Sequence, residues 1–456
     1  MFHKQGRALS RIATVMLASG MVVVGGLATA GAAAAASPSA TGATGVLVPG
    51  VRYSETIKIG DKTVQGGIIQ LKTDGDKLLD TYCIDLFNGT KPSAVYQETG
   101  WESSSLAGKP EQAGKILWIL QHSFPKVSAE QLAKDTKIEG LSKEDAAAGT
   151  QAAIWHFSDG ANAVPEDAEA RQLTDYLIGH AIKLEEPKPT LTLNPAAVSG
   201  KSGALLGPIT VTTNGSSVAL ALDEAGTKAG LAITDKAGKA VKSAKSGDQI
   251  YAKAPAGANP GSATIKATTS AEVAIGRAFT GVNAEGKHSQ TLILAGSEPV
   301  PATAGVTVNW APTGPIPAVT AKVDCVQGAV VVTATNNGDQ DYTFTLAGKS
   351  VTVKPGATQS VPVKVGEDQP YDITVTGPNG FKQQFKGVLN CKTDSTTTTP
   401  TPTTGTPGTT TGGGLATTGG GSETPVLAGI AGALVIAGGA AVFALRRRGR
   451  HSRTSA

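Results

Sequence analysis

Tyr82-Cys83-Ile84-Asp85-Leu86 and Thr150-Gln151-Ala152-Ala153-Ile154-Trp155 are the two stretches that decide how this chain is read. The first closes a run of apolar and aromatic residues, 78–86, that reads as a strand. The second lies inside 145–157, which begins three residues after Ser142. A serine followed three positions later by an acid, here Asp145, marks a helix start. On that helix Gln151, Ile154 and Trp155 fall on one face. Cys83 is one of only three cysteines, an odd number. An exported chain seldom keeps an unpaired thiol, because a lone sulfur oxidises or cross-links.

Further strands are expected before Cys83 at 45–51, 53–59 and 62–73. Helices follow: 110–124 carries Ile116, Leu117, Ile119 and Leu120 on a stripe, 128–134 is shorter, and Pro165 opens one running to 181. Strands first and helices afterward predict an α+β domain over 45–188. Helical periodicity then disappears. Across 189–302 short runs at 208–213, 218–222, 249–254, 263–268 and 290–295 are separated by Gly, Asn, Asp and Pro, which predicts a β-sandwich.

A third, small β domain of immunoglobulin-like type is expected over 318–392, with Cys325 and Cys391 near its ends. A domain this short buries little apolar surface, and a disulfide closing it would contribute about 4 kcal/mol. Pairing Cys325 with Cys391 leaves Cys83 alone. The alternative, Cys83 bonded to either, would tether two domains across a long stretch. Residues 395–414 are almost entirely Thr, Pro and Gly and read as an extended, wall-spanning linker of roughly 60–70 Å at full stretch.

The two ends carry addresses. Lys4, Arg7 and Arg11, an apolar run over 12–30 and the exit Ala34-Ala35-Ala36 read as a signal peptide occupying 1–36. Near the other end, Leu415-Ala416-Thr417-Thr418-Gly419 precedes an apolar run over 425–445 and then Arg446-Arg447-Arg448-Gly449-Arg450. That run has the roughly twenty residues of a transmembrane helix, and the arginines would keep its end in the cytoplasm. Balanced charge without basic patches interleaved with aromatics argues against nucleic acid. The histidines lack metal-ligand spacing and no glycine loop has P-loop form, so no metal or cofactor is expected.

With the strand-borne cysteine and the Thr-Gln-Ala-Ala helix in this order, the chain resembles the thioester domain of Gram-positive surface proteins, the TQXA type, over most of 45–188. The β-rich stretch after it is similar to the portion that follows the helical block in actinobacterial members. The resemblance implies that the Cys83 sulfur and the Gln151 side-chain carbonyl join as an internal thioester. Trp155 and Tyr82 are then expected to keep water away, and Asp85, on Cys83's face of the strand, or His156 to assist proton transfer. Residues 415–450 resemble an LAxTG sortase sorting signal. That likeness implies cleavage between Thr418 and Gly419, transfer of Thr418 to peptidoglycan, and only a transient stay in the membrane.

The function implied is a wall-anchored adhesin that bonds covalently to an amine, such as a lysine, on a partner. It would be a single-use reagent rather than a turnover enzyme. Two other readings stand beside it. One is a noncovalent wall-anchored binding or spacer protein in which Cys83 is a buried structural residue. The other is a cysteine protease or transglutaminase, which would need a nucleophile motif that Cys83, placed within a strand, lacks.

Overall fold

Residues 41–391 are described by a computed structural model. The expected signal peptide at 1–36, the linker at 395–414 and the sorting signal at 415–450, with Leu415 to Gly419 and the apolar run 425–445, lie outside the described residues. Among the described residues no helix is long and apolar enough to cross a membrane. The architecture is mostly β, in several units, with a few helices.

Six antiparallel strands close a circuit around Cys83. The chain begins β1 (Gly42–Leu47), β2 (Arg52–Ile59), β3 (Lys62–Lys72), β4 (Leu78–Cys83) and β5 (Val95–Thr99). β1 pairs with β5 at Gly45↔Tyr96, and β5 pairs with Ala278–Val282 at Glu98↔Phe279. That strand pairs with His288–Ser297, which sets Leu292 opposite Cys83 of β4. β4 pairs with β3, and β3 returns to β1 at Leu71↔Leu47. Closure removes the unpaired edges a six-stranded sheet would otherwise present. β2 folds onto β3 and carries the short β6 (Ala163–Pro165) on its other side.

This circuit crosses the boundary expected at residue 188. The strands Ala278–Val282 and His288–Ser297 come from the stretch read as a separate β-rich domain, yet they flank β4 and β5. The unit that holds Cys83 is therefore discontinuous in sequence. A buried ion-pair network fastens it at the point of departure and return. Glu98 on β5 accepts from Arg277 Nε at 2.9 Å and from the Thr190 and Ala43 N–H groups, while Arg277 Nη1 reaches Glu186 at 2.7 Å.

The helices are α1 (Pro110–Gln121), α2 (Ala129–Thr136), α3 (Lys143–Ser158) and α4 (Ala168–His180). α3 starts with the expected capping box: Ser142 Oγ accepts from the Asp145 N–H, and the Asp145 carboxylate accepts from the Ser142 N–H. From Asp145 to Trp155 every residue of α3 is buried, and most are Ala, Gly or Thr. A helix buried all round needs small side chains so that neighbours can approach. At Gly149 an added Cβ would stand 2.7 Å from the Ala170 carbonyl oxygen of α4. At Gly66 of β3 it would stand 2.1 Å from Ile57 Cδ1 and 3.4 Å from Gln151 Cγ. The glycines let α3 lie against the sheet with Gln151 facing it.

Residues of Leu191–Asn194, Leu205–Thr213, Ala232–Thr234 and Gln249–Lys253 form one sheet. Val218–Leu222, Gly261–Ala271, Val300–Ala311 and Ala197–Lys201 form the sheet that shares its core, which includes Leu191, Ile209, Ile250, Ile265 and Val306. The absence of helix expected there has one exception, the five-residue Glu224–Lys228, capped by Asp223. The third unit packs Pro317–Asp324, Ala329–Asn336 and Thr358–Lys364 with two hairpins around Val330, Tyr342, Phe344, Val375 and Phe385. Cys325 and Cys391 form its disulfide, and Cys83 is free and buried.

Candidate functional site

Cys83 ends β4 and Gln151 occupies the middle of α3; both are shut off from solvent, at 0% and 1% exposure. The Gln151 carboxamide is clamped to the Cys83 backbone. Its Oε1 accepts from the Cys83 N–H at 2.9 Å, and its Nε2 donates to the Cys83 carbonyl at 2.8 Å. A carboxamide fixed at both ends has one orientation, with its carbon beside the residue that carries the thiol. The Cys83 N–H also polarises the Gln151 carbonyl in the direction that stabilises negative charge on its oxygen.

The sulfur itself accepts from the Asp85 N–H at 3.2 Å. Burial pushes the Cys83 thiol well above its ordinary pKa, and the Asp159 and Asp85 carboxylates push it further; the Trp155 indole and the Asp85 N–H act the other way. The indole N–H of Trp155 is buried and makes no hydrogen bond, although it stands close enough to favour charge on the sulfur. It is a donor without a strong acceptor next to the reacting atoms.

Of the expected shields, Trp155 packs in the same apolar cluster as Cys83, with Leu86, Phe279 and Leu292. Tyr82 does not. Neighbouring residues on a strand point to opposite faces, so Tyr82 lies in the cluster of α1 and Ile154, where its hydroxyl donates to the Phe124 carbonyl at 2.8 Å. Tyr96 of β5 joins Trp155 and Phe279 in the cluster of Cys83, fully buried and hydrogen-bonded to Ser289 and the Gln290 carbonyl. Sequence reasoning missed it because β5 has no strong local pattern. The cue was Gly281 opposite, whose missing side chain makes room for the Tyr96 ring.

Of the expected proton partners, His156 is exposed on the far side of α3, edge-on to Phe157, and is not part of the site. Asp85 is fully buried and belongs to it, but its carboxylate faces His288 Nε2 at 3.2 Å and the Asn88 amide. His288 also touches Asn390, beside the disulfide of the third unit. Asp159, which caps the end of α3, was missed. Its Oδ1 accepts from the Leu86 N–H and its Oδ2 from the Ser158 hydroxyl, and burial pushes its carboxyl up to about 7. The Asp159 carboxylate also bears on the Cys83 thiol, which it pushes upward after burial itself.

No histidine or cysteine arrangement among the described residues suggests a metal. Three carboxylates do come together, Glu55, Asp145 and Asp167, at the N-terminal end of α3. Burial, then the neighbouring Asp145 and Asp167, pushes Glu55 up to about 7.

Residues 317–388 match the C-terminal domain of bacterial phospholipase C. No curated protein matches the chain. Among solved structures the chain is similar to the Bacillus anthracis TIE protein, at 14% identity over 77% of this chain and 81% of that one, with a TM-score of 0.27. It is similar also to the thioester domain of the Enterococcus faecium TIE86 protein, at 14% identity over 61% and 100%, with a TM-score of 0.28. A pilus-presented adhesin is similar at 8% identity over 71% and 77%, with a TM-score of 0.21. Residues 80–183, the segment that carries both Cys83 and Gln151, match the thioester domain family.

Proposed function

We propose that this protein is a surface adhesin that bonds covalently to an amine through an internal Cys83–Gln151 thioester. The observation that carries the proposal is the sealed clamp between the Gln151 carboxamide and the Cys83 backbone, inside the segment that matches the thioester domain. Formation joins the sulfur to the Gln151 side-chain carbon, breaks the carbon–nitrogen bond, and releases ammonia with the thiol's proton. Holding the two groups in place supplies the effective concentration that a poor amide electrophile needs. Trp155 and Tyr96 exclude the water that would hydrolyse the product.

In the second step a partner amine attacks the same carbon. The new carbon–nitrogen bond forms, the carbon–sulfur bond breaks, and the amine's proton returns to sulfur. A thiol that strongly prefers its neutral form must leave with a proton, and Asp159, whose carboxyl is pushed up to about 7 and bears on that thiol, is our candidate for relaying it. The chain is consumed in the process, so it is a single-use reagent and not a turnover enzyme. The signals at its two ends support display on the cell wall: export through residues 1–36, a stop in the membrane at 425–445, and transfer of Thr418 to peptidoglycan by a sortase. Its partner would be a lysine-bearing surface or matrix polymer.

Incubation of the full chain with methylamine followed by peptide mapping tests this. The expected products are a methylamide at Gln151 and a free thiol at Cys83, both absent in Cys83→Ala. An unmodified Gln151 would favour a noncovalent spacer with a structural cysteine.

A further inference from the structure

Outside the thioester site, three acidic side chains from three different elements converge. Glu55 comes from β2, Asp145 from the first turn of α3 and Asp167 from the cap of α4; one carboxylate oxygen from each lies within 4.8 Å of the other two. Parts of this cluster have structural work. Asp145 Oδ2 accepts from the Ser142 N–H and hydroxyl at 2.9 and 2.6 Å, and Asp167 Oδ1 accepts from the Glu169 N–H at 3.0 Å. Asp145 Oδ1 has none: the residue is 6% exposed, and this oxygen has no hydrogen-bond partner. A buried carboxylate oxygen among further carboxylates costs free energy unless a proton shared with Glu55 or a cation faces it.

Hydrogen bonds from Glu169 lower the Asp167 carboxyl and Arg171 adds to this from a distance, but the nearby cations make their direct contacts away from the three carboxylates. Lys58 pairs with Glu166 at 3.1 Å, Arg171 donates to the Pro165 and Glu166 carbonyls, and the Lys143 ammonium lies over the Tyr53 ring. The ligand set is all oxygen and all anionic, with no imidazole or thiolate. That composition selects hard cations over zinc or iron. Three carboxylates binding through one or both oxygens, completed by water, suit the six to eight ligands of calcium better than the strict octahedron of magnesium.

We propose that Glu55, Asp145 and Asp167 bind one calcium-class divalent cation that ties β2 to the first turns of α3 and α4. Asp145 lies six residues before Gln151 on the same helix, about 9 Å along its axis. The cation therefore fixes the helix that presents the glutamine to Cys83. Sites of this kind on extracellular modules bind with dissociation constants of roughly 10⁻⁴–10⁻³ M, matched to the calcium outside cells.

The test is thermal unfolding and titration calorimetry of the chelator-treated full chain with CaCl2 alone and with MgCl2 alone. Asp167→Asn and Glu55→Gln are measured beside it. Asparagine caps a helix as well as aspartate, so Asp167→Asn removes a charge and keeps the cap; Glu55 caps nothing. At 10 mM CaCl2 the wild type should unfold roughly 3–6 °C higher than in chelator. Both variants should fold, and each should lose most of that shift and the calcium heat. No calcium-dependent shift in the wild type overturns the proposal. An equal shift in both variants overturns it as well, by placing the cation elsewhere. A shift with MgCl2 and none with CaCl2 overturns the calcium assignment.

Discussion

Replacing Asp159 with asparagine should flatten the pH dependence of stability between acid and mildly alkaline solution. The carboxyl has an ordinary pKa of 3.8 and is pushed up to about 7 in the fold by burial. Between those values the folded chain holds a proton that the unfolded chain has released. Stability contributed by this group is therefore greatest in acid, falls as pH rises through the window, and levels off above about 7. From pH 5 to pH 8.5 the linked loss is about 2–3 kcal/mol. Asparagine keeps an acceptor for the Leu86 N–H and a group facing the Ser158 hydroxyl, so it removes the titration without emptying the site. Urea unfolding of wild type and variant at the two pH values reads the difference directly. The wild type should lose about 2–3 kcal/mol more than Asp159→Asn over the interval. Parallel pH profiles would refute the assignment of a half-buried, protonated carboxyl at the end of α3. A second readout follows from its relay role. The rate of methylamine uptake, corrected to free amine, should show an inflection near pH 7 in the wild type that the variant lacks.

Gly149→Ala sets two effects against each other: alanine favours a helix by about 1 kcal/mol, but its Cβ would press on the Ala170 carbonyl, and overpacking costs about 1–3 kcal/mol. Packing should win, and chemical denaturation should show a net loss. Arg277→Met leaves the buried Glu98 carboxylate without its ion pair and should cost about 3–5 kcal/mol by the same measurement. His156→Ala, at an exposed position away from Cys83, should leave methylamine uptake unchanged by peptide mapping.

Local pattern carried much of the first unit. The runs before Cys83 became β1 to β4, and the four helical stretches became α1 to α4, because each bears its own periodicity or cap; Pro165, however, ends β6, and α4 starts at Ala168 behind its Asp167 cap. Ser142 and Asp145 announced α3 three residues apart, and the clamp on Gln151 joins that helix to the end of β4. The closure of the barrel was not legible. His288–Ser297 looks like any buried strand, and nothing local says that its partner is β4, far back in the chain. The same distance hid His288 against Asp85. Tyr82 and His156 were assigned by nearness in sequence. Strand alternation sent the first to the opposite face, and helix geometry sent the second to solvent. The convergence of Glu55, Asp145 and Asp167 has no spacing signature either, since each lies on a different element.

The central claim is that Cys83 and Gln151 become one covalent unit in the folded protein. Intact mass of the freshly purified, denatured chain before exposure to any amine is its most direct test. The account predicts a mass short of the sequence value, after allowance for any leader removal and for the disulfide, by one ammonia. That deficit should vanish in both Cys83→Ala and Gln151→Ala. A wild-type chain at full mass, with a Cys83 thiol that alkylates stoichiometrically on unfolding, would contradict it.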